Sequence, residues 1–215
     1  MEEQIINMPA VALRGLTILP GMIAHFDVSR ERSLRAVEEA MEQDQKIYLV
    51  TQRNVDREDP TQEDLYRMGI VADIKQVVRL QNDVVRILVD GISRAALLGF
   101  TGCEKYLEAE ICYCDSNADS LPEDLREAML LGVREAFHRY AAVIGKISKE
   151  LIRQIDQYED LEKLIDYVTN NLPVSYELKQ QVLEAEDIND RYQVIVSLLL
   201  SQLEEISIKN KLHLK

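Results

Sequence analysis

Apolar side chains recur at every second position through the first half of the chain. In the segment IVADIKQVVRL they fall on one side of a predicted strand, at Ile70, Ala72, Ile74, Val78 and Leu80. A second alternating run, 85–89, follows the turn residues Gln81-Asn82-Asp83. The pattern therefore predicts a β-hairpin over residues 70–89.

The same period of two predicts further strands at 11–18, 46–52 and 106–114. One helix interrupts them, over about residues 30–41, with Ser29 as its cap and an inward face of Leu34, Val37 and Met41. Five or six strands with one early helix indicate a small, curved antiparallel sheet or pseudo-barrel.

The period becomes helical after the polar segment DSNADS, which predicts a β-rich part over 1–115, a linker at 116–120 and an all-α bundle over 121–215. The fold class is therefore α+β. Ser120 and Glu123 have the spacing of a capping box for the first helix of the bundle. Ser148 precedes the second helix, which turns Leu151, Ile152 and Ile155 inward. A third helix is expected over 161–170 and a fourth behind Ser175.

A long last helix is predicted from about Ile188. Its apolar residues are spaced alternately by three and four: Ile188, Tyr192, Ile195, Leu199, Leu203 and Ile206. That spacing is typical of a helix packed along a partner helix, or of the start of a coiled coil. Because the period still runs at the last residues, we expect the chain to be part of something longer.

Charge and composition narrow the class of protein. The 215 residues carry a net charge of −13, which disfavours binding to phosphate backbones, so nucleic acid is not expected as a partner. The chain has no apolar run of roughly 18 residues, the length that a membrane span needs. An acidic N-terminus is unlike a secretory signal, and three cysteines form no even disulfide framework. These features predict a cytoplasmic protein that does not bind a membrane.

The sequence offers no catalytic motif. Gly145-Lys146 lacks the other residues of a phosphate-binding loop, since Tyr140 and Ile147 stand where glycine and Ser or Thr are needed. The three histidines fall in three different predicted elements, and Cys112 and Cys114 do not complete a four-ligand zinc site with Cys103. We therefore expect no catalytic residue, no metal and no cofactor in this chain.

Several spaced motifs, in a consistent order, resemble the N-terminal domain of the bacterial Lon ATP-dependent AAA+ protease. They are MPAVALRGLTILPGMIAHFDVSRERSLRAVEEAM, KIYLVTQR, DPTQEDLYRMGIVADIKQVVRL and VRILVDGISRA, and the later segment LEKLIDYVTNNLPVSYELKQQVLE resembles the helical bundle that follows. The chain departs from the family at Gln81-Asn82-Asp83, where Pro or Gly is common, and at His25, where an apolar residue or proline is usual.

The resemblance implies a non-catalytic module that recognises unfolded or damaged protein substrates and assists assembly. It implies a hexamer in the whole enzyme, with a monomer or dimer for this part alone. The ATPase module, which would use ATP and Mg, and the peptidase module with its Ser-Lys dyad lie outside these 215 residues.

A receptor for unfolded chains needs an exposed apolar patch or an open strand edge. Pro20-Gly21 stops the first predicted strand and leaves Met22 and Ile23 on or near a loop. The predicted substrate-binding residues are Pro20, Met22, Ile23, Met68 and Leu80. Residues expected to have structural roles in the motifs are Arg14, Gly21, Arg30, Ser33, Gly69, Gly91 and Arg94. The net charge predicts weaker binding of acidic clients.

Other functions remain open at this stage. The last helix favours a purely structural spacer that drives oligomerisation. A nucleic-acid-binding module would suit a small curved β-domain, but the low pI of about 4.7 argues against it. An independent enzyme is the fourth alternative, and the missing catalytic motifs argue against it.

Overall fold

A computed structural model describes residues 4–213, and the chain divides into two compact units between Cys114 and Asp115. The first unit contains β1 (Ile5–Leu13), β2 (Ile23–Val28), α1 (Glu31–Glu42), β3 (Lys46–Thr51), β4 (Met68–Arg79), β5 (Val85–Phe100) and β6 (Glu108–Tyr113). The second contains α2 (Glu123–Ile144), α3 (Lys149–Gln157), α4 (Leu161–Asn171), α5 (Tyr176–Glu184) and α6 (Ile188–His213). Short 3₁₀ turns lie at Gln62–Asp64 and Ala118–Ser120. The predicted α+β class is confirmed.

The strands form one six-stranded sheet in the order β2-β5-β4-β3-β1-β6, and β5 is long enough to pair with β6 as well. The sheet is mixed, because β1 and β3 run parallel. The other strand pairs of the described residues are antiparallel, as predicted. The β1–β3 pair departs from the prediction because β2 and α1 lie between these strands in the sequence and return the chain to the same end of the sheet.

The first strand lies earlier than the sequence predicts. It covers 5–13 rather than 11–18, and residues 16–19 have no strand pairing although Ile18 and Leu19 are almost fully buried. Gly15 turns the chain with a φ of 64°, and the Leu16 carbonyl accepts a hydrogen bond of 2.7 Å from the Thr51 hydroxyl. Side-chain bonding of this kind satisfies a buried loop, which hydrophobicity alone cannot distinguish from a strand.

The predicted hairpin is present, and Asn82 and Asp83 at its tip both have positive φ. The predicted inward face of β4 is wrong beyond Ile74, because the pairing with β5 shifts between Ile74 and Gln76. An extra residue in one strand reverses the alternation that follows it. Val77 consequently packs on the core, and Val78 and Leu80 lie on the outer side.

Helix α1 also differs in phase from the prediction. Arg30 is its N-cap residue, so Ser29 is not the cap, and Met41 is exposed rather than buried. The buried positions are Ser33, Ala36, Val37 and Ala40. Three of these four side chains are small, so the helix backbone lies close to the sheet. Of the larger apolar side chains in the predicted face, Leu34 is only partly buried and Met41 is exposed.

The second unit follows the predicted order of helices. Ser148 caps α3, its hydroxyl accepting a hydrogen bond of 3.1 Å from the backbone N–H of Leu151. Ile155 is fully buried, whereas Leu151 and Ile152 are half-buried. The expected capping box at Ser120 is wrong, because residues 118–120 form a separate 3₁₀ turn and Pro122 precedes α2.

Helix α6 is buried along its first half, at Ile188, Ile195 and Leu199. Leu203 and Ile206 of the predicted stripe are half-buried. Within residues 4–213, no helix is long and apolar enough to span a membrane.

Candidate functional site

Strand β2 forms an edge of the sheet. Within the described part of the chain it pairs only with β5, in register from Ile23 opposite Asp90 to Val28 opposite Val85. The N–H of Gly91 donates to the Met22 carbonyl at 2.9 Å, and bonded positions alternate along an antiparallel ladder. The main-chain groups of Ala24 and Phe26 therefore face β5, while those of Ile23 and His25 face the open edge.

The loop that leads into β2 is held against β5. Gly21, with a φ of 75°, donates through its N–H to the Gly91 carbonyl at 2.8 Å. A side chain at Gly91 would collide with the Leu19 carbonyl and with the Ile70 side chain, so this position needs a glycine. This close approach of the loop to β5 determines the position of residues 22 and 23 at the edge of the sheet.

Four of the five predicted substrate-binding residues lie on or near the surface of this region. Ile23 is 68% exposed and Leu80 is 39% exposed, whereas Pro20 and Met22 are half-buried and Met22 packs partly on the core. The inclusion of Met68 is wrong, because that side chain is 0% exposed. Met68 opens β4 and pairs with Ala96 in the middle of the sheet, where both faces are covered.

The structure does not gather these residues into one patch. Ile23 and Leu80 lie toward opposite ends of the β2–β5–β4 segment, with five residue steps of β2 between Ile23 and Val28. At about 3.3 Å per residue, five steps span about 16 Å. The distance is too long for a single apolar contact and suits an extended peptide.

The outer face between the two ends combines apolar and charged side chains. Half-buried Leu88 lies opposite His25, and Val78 is opposite Arg86. Arg86 donates two hydrogen bonds to Asp27, at 2.7 and 2.9 Å, and these bonds hold the pKa of the Asp27 carboxyl below its usual value. Sequence reasoning put Val78 on the inward face because it had no signal for the bulge in β4.

A cleft of about 220 Å³ lies beside the end of β2. It is lined by residues 11–14 and Leu16 on one side, and by residues 26–30 and Ser33 on the other. Two of the predicted motif residues, Arg14 and Arg30, both approach the Arg57 carbonyl oxygen, at 3.4 and 3.5 Å. Arg30 also donates to the Gln52 side-chain oxygen. Partial burial, together with the positive charge of Arg14, lowers the pKa of the Arg30 guanidinium.

The other predicted motif residues have packing roles. A side chain at Gly69 would collide with the Leu49 carbonyl and the Tyr48 ring, and the Tyr48 hydroxyl donates to the Ala95 carbonyl at 3.0 Å. Arg94 is buried within β5, and its carbonyl accepts from the N–H of Cys114 at 3.4 Å. Both residues help to hold the centre of the sheet together.

Comparison with known proteins decides the family. Residues 7–201 match the family described as the ATP-dependent protease La (LON) substrate-binding domain. The chain belongs to this Lon family. It is 36% identical over its whole length to the Lon protease of Lachnoclostridium phytofermentans, and 34% identical over 97% of its length to that of Clostridioides difficile. In each case it spans 27% of the relative's length.

Solved structures of Lon N-terminal domains share the fold. The N-terminal domain of Mycobacterium avium complex Lon protease superposes with a TM-score of 0.73 at 19% identity, covering 90% of this chain and 98% of the other. A Lon N-terminal domain protein from Xanthomonas campestris gives 0.60 at 13% identity, covering 89% and 98%. The predicted resemblance to Lon is confirmed, and the chain corresponds to the substrate-binding part of that family.

Metal chemistry finds no support in the geometry. Among residues 4–213, the structure contains no group of three or more His, Cys, Asp or Glu side chains placed to hold a metal ion. Cys103, Cys112 and Cys114 are free thiols.

Proposed function

We propose that this Lon substrate-binding domain receives unfolded or damaged protein segments, and that the client lies along the open edge of β2. The observation that carries the proposal is that β2 exposes main-chain groups at Ile23 and His25 beside a side chain that is 68% exposed. An extended peptide can add to such an edge through main-chain hydrogen bonds, which do not depend on sequence. Neighbouring apolar side chains then select apolar clients.

The charged pair on β2 fits this role. An unprotected edge strand promotes aggregation, and natural proteins blunt such edges with short strands and charges. Strand β2 has six residues and carries the Asp27–Arg86 ion pair near its far end. The strand therefore resists pairing with a second long edge but leaves the Ile23 end open to a flexible segment.

Affinity for a single domain should be modest. Covering one isoleucine side chain contributes about 1.5–3 kcal/mol, and a disordered client loses entropy when it becomes ordered. Several copies in one assembly would raise the apparent affinity by avidity. On this basis we propose that the chain works within a cytoplasmic, oligomeric Lon protease whose remaining modules use ATP and Mg, cleave the client and lie outside these residues.

Replacement of Ile23 tests the proposal. We expect Ile23→Ser to weaken binding of a labelled, permanently unfolded protein about tenfold or more, since the lost apolar contact corresponds to about 1.5–3 kcal/mol. Fluorescence anisotropy measures the affinity, with a folded protein as the negative client.

Leu131→Ser is the matched control, because Leu131 is 55% exposed on α2 in the second unit. It should leave the affinity unchanged. Equal loss in both variants, or no loss in the Ile23 variant, would contradict a client site at β2.

A structural role is the second candidate, and α6 favours it. Its apolar residues Leu200, Ile208 and Leu212 are 41%, 58% and 68% exposed. If the chain serves only as an oligomerisation spacer, light scattering will show self-association that Ile208→Ser and Leu212→Ser abolish, and the unfolded client will not bind at any concentration.

A further inference from the structure

Residues 22–27 present two different faces to a segment that adds to the open edge of β2. The even-numbered residues Met22, Ala24 and Phe26 are half-buried and pack partly on the core of the first unit. The odd-numbered residues, at 23, 25 and 27, are exposed on the outer face. Within residues 4–213 no further strand lies on the open side of β2, so the inner row is only partly covered. A strand added there would cover that row and would also pair with the main-chain groups of the edge.

The inner row determines which side chains a client can place beneath the sheet. Successive side chains of a strand point to opposite faces, so every second residue of an added segment would lie beside this row. Leu16 and Leu34, which are also partly buried, pack on the same core cluster as the row. A charged side chain at such a position would lose hydration without gaining a partner, at a high cost in free energy. The inner face therefore favours a client with an apolar residue at every second position.

Asp90 gives the outer face a negative charge beside Ile23. The two residues are directly opposite each other in the β2–β5 register, and Asp90 is half-buried. Within residues 4–213 the Asp90 carboxylate has no hydrogen bond or ion pair. Its neighbour on β4, Asp73, is already compensated, because Lys46 and Lys75 donate to its two oxygens at 2.9 and 3.5 Å. Among the described residues, Asp90 thus lacks the cation that Asp73 has.

We infer that the β2 edge selects extended client segments in which apolar residues alternate with Arg or Lys. The apolar residues lie on the inner row, and a basic residue lies on the outer face opposite Ile23, whose exposed side chain its methylene stem covers. The client strand would lie about 9.6 Å from β5, two strand spacings of about 4.8 Å, so the charged end of a long side chain reaches across Ile23 toward Asp90. The inference rests on the proposed function and adds a sequence pattern to it.

Charge along the edge supports the same choice of client. The Asp27–Arg86 ion pair compensates the charge at the far end of β2, which leaves Asp90 as the uncompensated carboxylate near the Ile23 end. The net charge of −13 adds a long-range attraction for basic segments. A segment with acidic residues on its outer face would instead place like charges near Asp90, and such an arrangement is unfavourable.

Three short, fluorescein-labelled peptides test the inference by fluorescence anisotropy. The first alternates Val with Arg, the second has the same residues as one Val block and one Arg block, and the third alternates Val with Glu. We expect the first to bind the native chain about tenfold more tightly than the second, because only alternation places every Val on the inner row. The two peptides carry the same charge, so non-specific attraction to an acidic protein does not separate them. The third peptide should bind most weakly.

Asp90→Asn tests the charged contact. We expect this variant to bind the Val-Arg alternating peptide about three- to fivefold more weakly than the native chain does, the size of an ion pair near a surface. It should bind the Val-Glu peptide no more weakly than the native chain does. Asp119→Asn, at an exposed carboxylate of the second unit, is the matched control and should bind as the native chain does. Circular dichroism checks the folding of both variants.

The outcomes separate the inference from the function on which it rests. Equal binding of the alternating and block peptides by the native chain would overturn the alternating pattern. An unchanged affinity in Asp90→Asn, or an equal loss in both variants, would overturn the role of Asp90. Failure of all three peptides while the unfolded protein still binds would overturn the inference alone. Failure of the peptides and of the unfolded protein would overturn the proposed function itself.

Discussion

At the scale of single residues, Asp27 shows how neighbours on two strands set the chemistry of the outer face. Its carboxyl lies on the open edge strand, and Arg86 on β5 donates one hydrogen bond to each of its oxygens. Neither residue is close to the other in sequence, since 59 positions separate them. The pair is a product of the β2–β5 register.

Removal of the Arg86 side chain should change the pKa of the Asp27 carboxyl. In Arg86→Gln we expect the pKa of Asp27 to rise toward its usual value of 3.8, because the hydrogen bonds that lower it are removed. Carboxyl-carbon NMR titration of the native and variant chains measures this change.

The pH dependence of stability has a definite sign. A carboxyl whose pKa is lowered by folding stabilises the folded state above its ordinary pKa, and the contribution is lost as pH falls through the lowered value. Arg86→Gln should therefore flatten the dependence of stability on pH below 3.8. An unchanged Asp27 titration would show that the ion pair is absent in solution.

At the scale of elements, β2 differs from the other strands because only one side of its main chain is paired within the described residues. A client that adds as a strand needs the N–H groups on the open side. A client that touches only side chains does not need them. The two modes of binding make different demands on the backbone of β2.

Proline at position 25 separates these modes. His25→Pro removes a donor that faces the open edge, and edge strands tolerate proline at such positions. We expect the variant to keep its fold and to lose several-fold in affinity for an unfolded client, measured by anisotropy. His25→Ala is the control, since it keeps the N–H. Equal affinity of both variants would mean that the client binds through side chains alone.

At the scale of the whole molecule, the two units have separate cores. Two clusters on either side of the sheet stabilise the first unit, and the second is built around α2 and α6. Phe137 of α2 is fully buried in the second unit, 6.2 Å from the ring of Tyr140 between centroids. Removal of a core side chain should therefore act mainly within its own unit.

Phe137→Ala should destabilise the second unit by about 3–5 kcal/mol, the usual cost of such a cavity. Native-state hydrogen exchange read by mass spectrometry will show faster exchange across residues 123–213 and little change across the strands. Leu131→Ala, at an exposed site on the same helix, is the control. Uniform acceleration in both units would show that they unfold together.

The residue pattern predicts much of the order of helices and strands. The helices of the second unit were predicted in order, and the Ser148 cap was correct, because helical period and capping are local properties. The hairpin of β4 and β5 was also predicted, because alternation of apolar residues and turn residues are local properties too. The errors in the first unit come from non-local effects: residues 16–19 are buried without strand pairing, and the bulge after Ile74 moves Val78 to the surface.

The candidate site was predicted less completely than the fold. Sequence placed Ile23 correctly near the surface, but the alternating pattern put Leu80 on the inward side of the predicted strand, and the candidate list included Met68, which is fully buried. Arg14, Arg30 and Ser33 were predicted only as parts of motifs. These three residues line one cleft only because the fold brings the ends of β1 and β2 together with the start of α1.

The sequence by itself determined the family, the change from strands to helices near residue 115, and the types of side chain available for binding. These follow from local period, turn residues and spaced motifs, which the chain carries whatever its partners are. Only the tertiary structure decided which strand is the open edge and which side chains line the cleft. Strand order and burial are set by pairing between distant segments, and that pairing puts Ile23 on the edge strand and brings Arg14 and Arg30 to the same cleft.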